Sequence, residues 1–306
     1  MDRLRNRLNN LILSENFKKA WETLRVYGGM IKFSHTVFAL PFALSAVILA
    51  SEKHPLTFGV IFWILVAMVG ARTAAMGVNR IVDASIDKEN PRTAMREIPG
   101  GKISKRDAWL VVAGSSALFF LAAAMLSPLC LKLSLPVLLF LFAYSFTKRF
   151  TWLCHIYLGL SISLAPLGAW IAVTGGFTWR ILFLSLALAT YIAGFDILYA
   201  CQDSDFDRKR GLHSIPANLG IQKALKISTA LHLVTFATLF LLWPLFHLGW
   251  PYGLSIAIIG ALLVVEHLLV KPHDLSRVHV AFFHMNSIIS VVLFLGIAAG
   301  YLTGGV

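Results

Sequence analysis

Two acidic clusters interrupt an otherwise apolar chain, and their residue types and spacing are what could do chemistry. The first reads Asn79-Arg-Ile-Val-Asp83-Ala-Ser-Ile-Asp87; the second reads Asp196-Ile-Leu-Tyr199-Ala-Cys-Gln-Asp203-Ser-Asp-Phe-Asp207. On a helix, Asn79, Asp83 and Asp87 recur at i, i+4 and i+8 and form a row on one face. Asp196, Tyr199, Asp203 and Asp207 recur at i, i+3, i+7 and i+11, which predicts a second row over three turns. Hard oxygen ligands in this number suit Mg²⁺, which prefers a few carboxylates, several waters and substrate phosphate oxygens. Two rows facing one another would hold a pair of Mg²⁺ ions with a diphosphate between them. The expected metal ligands are Asn79, Asp83, Asp87, Asp196, Asp203 and Asp207.

Basic residues would complete such a site. Arg72, seven residues before Asn79, joins the first face at greater depth and can grip phosphate oxygens in bidentate fashion. Lys148 and Arg149 close the fourth apolar run, Lys102 and Arg96 lie in the first long loop, and Lys32 opens the first run. Together they would neutralise a leaving diphosphate; stabilising developing charge is commonly the largest catalytic effect, and metal ions add Lewis acidity. A bland reading competes at each position. A lone Asp past a membrane helix is ordinarily a solvated cap, and Lys148-Arg149 by itself is explained by membrane topology. Two ordered rows on one side of the membrane are not so explained. Asp205 falls off its row and reads as solvated. Most of the ten histidines read as packing, with His35 and His155 the exceptions, and Glu266 reads as snorkelling or as pairing with His267 or Lys271.

The elements that must position these residues follow from composition. Mean hydropathy is +0.74, with 58% hydrophobic and 14% charged residues among 306. Runs of about 20 apolar residues fit helical spans and not a β-barrel. Nine are expected, at 33–50, 57–78, 108–127, 131–147, 155–174, 180–200, 223–243, 250–270 and 283–303. With the N-terminus inside, only Lys53, Lys132 and Arg180 of the 27 Lys and Arg fall on the outer side. That asymmetry predicts N-terminus in, C-terminus out, and both acidic clusters at the cytoplasmic face of the inner membrane. The formal charge of +12 therefore belongs to membrane orientation and a phosphate site, and a nucleic-acid partner is not expected.

Residues 1–30 lack the apolar core of a signal peptide and read as an amphipathic cytoplasmic lead-in, with Leu4, Leu8, Leu11, Phe17, Trp21 and Leu24 at roughly helical spacing. Cys130, Cys154 and Cys201 show no metal spacing and read as packing residues. The long inside loops echo one another, each with Asp-x-x-x-Asp followed by Ile-Pro, at Ile98-Pro99 and Ile215-Pro216. No linker divides the chain, so residues 1–306 are expected to form one domain.

The paired motifs, their order, four spans between them and nine in all resemble the UbiA-type intramembrane aromatic prenyltransferases. So does Tyr144-x-x-x-Lys148-Arg149-x-Thr151. Within that family, Asp196 to Asp203 followed by Gly211-Leu-His-Ser-Ile-Pro216 is similar to the bacterial 4-hydroxybenzoate polyprenyltransferase-like branch, some members of which are associated with menaquinone made by the futalosine route. One departure is Arg80, where many members carry Asp directly after the motif's Asn.

The resemblance implies an all-α ring of nine transmembrane helices around a central cavity, with a polar cytoplasmic cap. It also implies Mg²⁺-dependent transfer of a polyprenyl group from polyprenyl diphosphate to a hydroxy-aromatic acid in quinone biosynthesis, 4-hydroxybenzoate first and a naphthoate as the alternative. The implied catalytic residues are Asp83, Asp203, Tyr199 and Lys148, with Arg72, Lys148 and Lys102 on diphosphate and Arg149 on the acceptor's carboxylate. A secondary transporter is the rival from another class, but it would want its charges near the bilayer midplane on broken helices. A CDP-alcohol phosphotransferase would need one contiguous aspartate motif, which this chain lacks.

Overall fold

The computed structural model describes residues 21–23, 25–31, 38–52, 54–278 and 284–304. The expected lead-in falls mostly, and Lys32 and His35 fall wholly, outside the described residues. Helices account for nearly all of it: α1 (Leu40–Ala50), α2 (Phe58–Glu89), α3 (Lys105–Leu126), α4 (Pro128–Thr147), α5 (Cys154–Thr174), α6 (Ile181–Ala200), α7 (Ser204–Arg210), α8 (Ile215–Leu219), α9 (Ile221–Leu245), α10 (Trp250–Leu269) and α11 (Asn286–Thr303). Eight helical segments among the described residues are long and apolar enough to cross a bilayer, α6 and α7 counting as one. The first expected span appears as the 11-residue α1, and most of the chain before it lies outside the described residues. Among the described residues, therefore, eight spans and not nine reach membrane-crossing length, and the first expected run is represented only by the shorter α1. This is a multi-pass membrane protein.

Helix starts are written locally. Ser104 and Ser127 accept hydrogen bonds from the Asp107 and Cys130 backbone N–H groups at 3.1 Å, capping α3 and α4, and Pro128 occupies the first turn of α4, where no N–H is needed. Large apolar residues such as Phe58, Leu121, Leu139, Leu241 and Leu302 stay exposed, as a lipid-facing surface requires.

Order in space follows order in sequence: α2 packs on α3, α3 on α4, α4 on α5, α5 on α6, α6 on α9, α9 on α10 and α10 on α11, while α1 packs against α5 and α11. Small residues permit the tightest crossings, where hydrophobicity gives little drive. Gly159 of α5 lies on the Ala189 carbonyl of α6, and Gly194 of α6 lies on the His232 ring of α9; a Cβ at either place has no room. In α6, 14 of 20 residues are buried, so the helix that carries Asp196 and Tyr199 is held on all sides.

The second acidic row departs from the expectation of one continuous helical face. Helix α6 ends at Ala200, Cys201–Asp203 tighten into a 3₁₀ turn, and α7 begins at Ser204. A 3₁₀ turn takes about three residues where an α-turn takes 3.6, so Asp203 and Asp207 rotate out of line with Asp196 and Tyr199. The first row, by contrast, lies wholly within α2, so the two echoing loops are not structural copies.

Glu266 also differs from expectation. It is fully buried beside His232 of α9 (Nδ1 to Oε2, 3.8 Å) and accepts at 3.5 Å from Asn286 Nδ2 of α11. His232 shares a 2.9 Å hydrogen bond with His267 and reaches the Tyr191 carbonyl at 3.3 Å. This network joins α6, α9, α10 and α11 within the bundle. Removing the ring in His232→Ala should destabilise the protein by about 2–4 kcal/mol, from the cavity and the lost interhelical bonds. Glu266→Gln, which keeps shape and hydrogen bonding, should cost less than about 1 kcal/mol. Thermal unfolding of the two variants in detergent checks the order; a larger loss for Glu266→Gln would mean that the negative charge holds the network.

Candidate active site

Helix α2 has 32 residues, about 48 Å at the usual rise, against about 30 Å of hydrocarbon. Its last turns therefore carry Asn79, Asp83 and Asp87 beyond the apolar stretch. Asn79 Nδ2 donates to Asp83 Oδ2 at 3.2 Å, and Lys148 Nζ lies 2.9 Å from the same oxygen. Arg149 Nη2 donates to the Val82 carbonyl at 2.8 Å and stands 3.5 Å from Asp83 Oδ1. Arg96 Nη1 reaches both oxygens of Asp87, at 2.7 and 2.8 Å. Arg80 points away from this row: it is buried and its Nε donates to the Met30 carbonyl at 3.0 Å. Its role in the structure is to tie the segment before α1 to α2.

On the facing side, Asp196 Oδ2 accepts from His155 Nδ1 at 2.7 Å, and His155 Nε2 accepts the Ile215 backbone N–H at 3.3 Å. The ring proton thus belongs on Nδ1, pointing at Asp196. Asp203 is gripped by Arg92, whose Nε donates to Oδ1 at 2.9 Å and whose Nη2 donates to Oδ2; Asn90 Nδ2 adds a third bond at 3.0 Å. Arg92 Nη1 also donates to the Tyr199 hydroxyl at 2.7 Å, with the guanidinium carbon 5.0 Å from the ring centroid. Partial burial works against the Arg92 charge, but its hydrogen bonds and attraction to Asp203 outweigh this and raise its pKa above the usual guanidinium value. Asp207 has Ser214, Asp203, Lys148 and His155 as its polar and charged neighbours.

Lys148 is where the two rows meet. Its ammonium is on Asp83, its charge is felt at Asp207, and its carbonyl accepts the His213 N–H at 2.7 Å, pinning the loop after α7 to the end of α4. The loop after α2 closes the other side, with Asn90 and Arg92 on the second row and Arg96 on the first. Asn90 and Arg92 belong to the site although nothing in their spacing marks them. The one available signal is the Asn90-Pro91 step that ends α2 and turns the chain back over Asp87. Lys102 is not brought in: it is exposed in that loop, and among the described residues it forms no ion pair with either row.

Below the rows lies an apolar cavity of about 370 Å³ between α2, α3, α4 and α5. From α2 it is lined by Ala67, Ala71, Arg72, Ala75 and Asn79, one face at three- and four-residue spacing, and the alanines keep that side hollow. Tyr144 of α4 lines it too, and has Asp83 and Asp196 among its charged neighbours. Arg72, Asn79 and Tyr144 thus mark the polar end of a greasy slot that leads to both carboxylate rows.

Among the described residues, no three carboxylate, imidazole or thiol groups converge into a ready metal cluster, because the carboxylates are engaged by cations. The donor set still suits Mg²⁺. The rows offer carboxylate and amide oxygens, and the buried Oδ1 of Asp83 accepts no hydrogen bond among the described residues.

Known proteins resemble this chain in sequence and in fold. The model of the UbiA prenyltransferase family matches residues 39–288. The chain is 30% identical over 294 residues to the 4-hydroxybenzoate octaprenyltransferase of Vibrio campbellii, covering 94% of this chain and 99% of that one. It is 32% identical over 250 residues to the enzyme of the same name from Nitrosomonas europaea, covering 81% and 84%. Its fold is similar to that of a UbiA homolog from Aeropyrum pernix, with a TM-score of 0.79 and 34% identity over 86% of this chain and 97% of that one. A UbiA homolog from Archaeoglobus fulgidus, solved with DMAPP and Mg²⁺ bound, shares the fold at a TM-score of 0.67 and 20% identity, covering 90% and 98%. On the extent of the family match and of these relatives, the chain belongs to the UbiA prenyltransferase family.

Proposed function

We propose that this prenyltransferase moves a polyprenyl group from polyprenyl diphosphate to a hydroxy-aromatic acid, 4-hydroxybenzoate before a naphthoate, in quinone biosynthesis. The observation that carries the reading is the apolar slot ending at Arg72, Asn79 and Tyr144, directly under two carboxylate rows interleaved with cations. The isoprenoid tail lies in the slot and the diphosphate sits at its polar end. The site faces the cytoplasm, with the N-terminus inside and the C-terminus outside.

Asn79, Asp83, Asp87, Asp196, Asp203 and Asp207 would hold Mg²⁺, with Asp196 oriented by its hydrogen bond from His155. Mg²⁺ supplies positive charge that draws electron density from the carbon–oxygen bond to the diphosphate. Arg72 and Lys148 neutralise the departing diphosphate. The apolar slot excludes water from the allylic cation left behind, and the Tyr199 hydroxyl, fixed by Arg92, stands at the same mouth. The electron-rich ring attacks the cation carbon, most simply ortho to its hydroxyl, and the displaced ring proton passes to the released diphosphate.

Arg149 is the candidate reader of the acceptor. Among the described residues only its Nη2 meets an acceptor, the Val82 carbonyl and at longer range Asp83, while the guanidinium lies over the Phe146 ring, and the side chain is exposed enough to meet an anion. Losing a charge-assisted bond costs about 1.5–3 kcal/mol, roughly 10- to 100-fold in affinity. Arg149→Ala should raise KM for the aromatic acid by that factor and leave KM for the polyprenyl diphosphate within about threefold. The reverse pattern assigns Arg149 to the donor. The overall reading is tested with detergent-solubilised protein, Mg²⁺, a polyprenyl diphosphate and a panel of hydroxybenzoates and naphthoates, with products read by mass spectrometry. Metal-dependent prenylation of 4-hydroxybenzoate is expected; no transfer to any aromatic acid sinks it, and preference for a naphthoate changes the acceptor.

A further inference from the structure

The loop after α2 holds both acidic rows at once. Its Asn90 and Arg92 occupy Asp203, and its Arg96 occupies both oxygens of Asp87. From the two residues after α4, Lys148 and Arg149 occupy Asp83. Four cationic side chains thus stand against three carboxylates, and each carboxylate is already compensated. A divalent ion arriving alone must displace a guanidinium or ammonium and push it into a crowd of like charge. An ion arriving with a diphosphate meets a different balance, because the displaced cations gain an anion to grip, and a guanidinium fork suits phosphate as well as carboxylate.

Resting on the proposed function, we propose that Arg92 is a positioning residue that keeps divalent metal off Asp203 until prenyl diphosphate arrives, and then exchanges Asp203 for the diphosphate. Arg92 is suited to the exchange in a way that Arg96 is not. It is the group that joins Asp203 to Tyr199, so moving it lifts a positive charge from the carboxylate and a donor from the hydroxyl in one step, leaving Asn90 on Asp203 Oδ1. Its side chain is partly exposed, and the packing it must leave is its contact over the Tyr199 ring. Metal and donor are then thermodynamically coupled: each raises the affinity of the other by the same factor, with Arg92 as the shared element.

The test is Mn²⁺ binding, read by electron paramagnetic resonance on the full-length protein in detergent, without substrate. Arg92→Gln removes the competing charge and should bind Mn²⁺ about tenfold more tightly than the unaltered protein, within the usual range of such couplings. In saturating Mn²⁺, the same variant should bind a non-hydrolysable prenyl thiodiphosphate about tenfold more weakly. Arg92→Lys keeps the charge and should leave Mn²⁺ affinity within about threefold; if Arg92→Gln does not fold, the unaltered protein decides, since saturating thiodiphosphate should tighten its Mn²⁺ binding about tenfold and no tightening overturns the proposal. Lys209→Gln, an exposed cation on α7, controls for loss of general positive charge and should change nothing. Mn²⁺ binding that is unchanged or weaker in folded Arg92→Gln, or raised equally by Lys209→Gln, overturns the proposal. The underlying metal reading fails separately: Mn²⁺ that binds no protein form even with thiodiphosphate, or binds undiminished in Asp203→Ala, removes the metal site and this inference with it.

Discussion

Asp83→Asn and Asp203→Asn should each lower kcat/KM by about 10³-fold or more while the protein still inserts and folds. A single preorganised donor to a developing charge contributes about 10²–10³-fold, and a carboxylate that holds a metal supports several such contacts at once. Asn is chosen over Ala because it keeps shape and one acceptor oxygen, so the loss reads charge and not packing. The stability cost should be small although Asp83 is buried. The partners it leaves behind, Lys148 and Arg149, are 31% and 39% exposed and can turn to water, and pairs with one hydrated partner contribute about 1 kcal/mol or less. Thermal midpoints within a few degrees of the unaltered protein, together with lost turnover, are the expected pair of results. Activity within a few-fold for both variants contradicts the assignment.

Ala71→Phe should act on the donor's tail instead of its diphosphate. Ala71 is one of the small α2 residues that keep the slot open toward α5. A phenyl ring there displaces several carbons of a bound chain, at about 0.8 kcal/mol for each buried methylene. Losing three or four costs about 10²-fold in affinity. Long polyprenyl diphosphates should therefore lose about 10²-fold in kcat/KM, whereas dimethylallyl diphosphate, too short to reach the ring, should change little. The measurement is kcat/KM across a series of chain lengths, and a loss that is equal at every length would place the tail elsewhere.

Much of the membrane architecture was legible because hydrocarbon imposes one rule along the whole chain: every span must be a run of apolar helix. The helix ends are legible for the same reason, so Asp83 and Asp203 fall where the apolar runs stop. The break at Cys201 was not legible, because spacings of three, four and four describe one face of an α-helix equally well whether or not the helix continues. Asn90 and Arg92 were hidden because their contacts with Asp203 span 113 and 111 residues, and such cross-loop contacts have no period to read. Lys102 shows the opposite error, since membership of the right loop is not a direction for its side chain. Glu266 was assigned a neighbour in sequence, but its partners His232 and Asn286 come from the helices packed on either side.

On the proposed function, the carboxylate rows and the slot beneath them are one site for metal and prenyl diphosphate. The most direct measurement is a crystal structure with Mn²⁺ and a non-hydrolysable prenyl thiodiphosphate, with the metal located by anomalous scattering. Anomalous density is expected within about 2.0–2.6 Å of carboxylate oxygens of Asp83 and Asp203, with the diphosphate between the rows and the tail running past Ala75 and Ala71. Metal bound away from both aspartates, or a tail outside the space between α2 and α5, would contradict it.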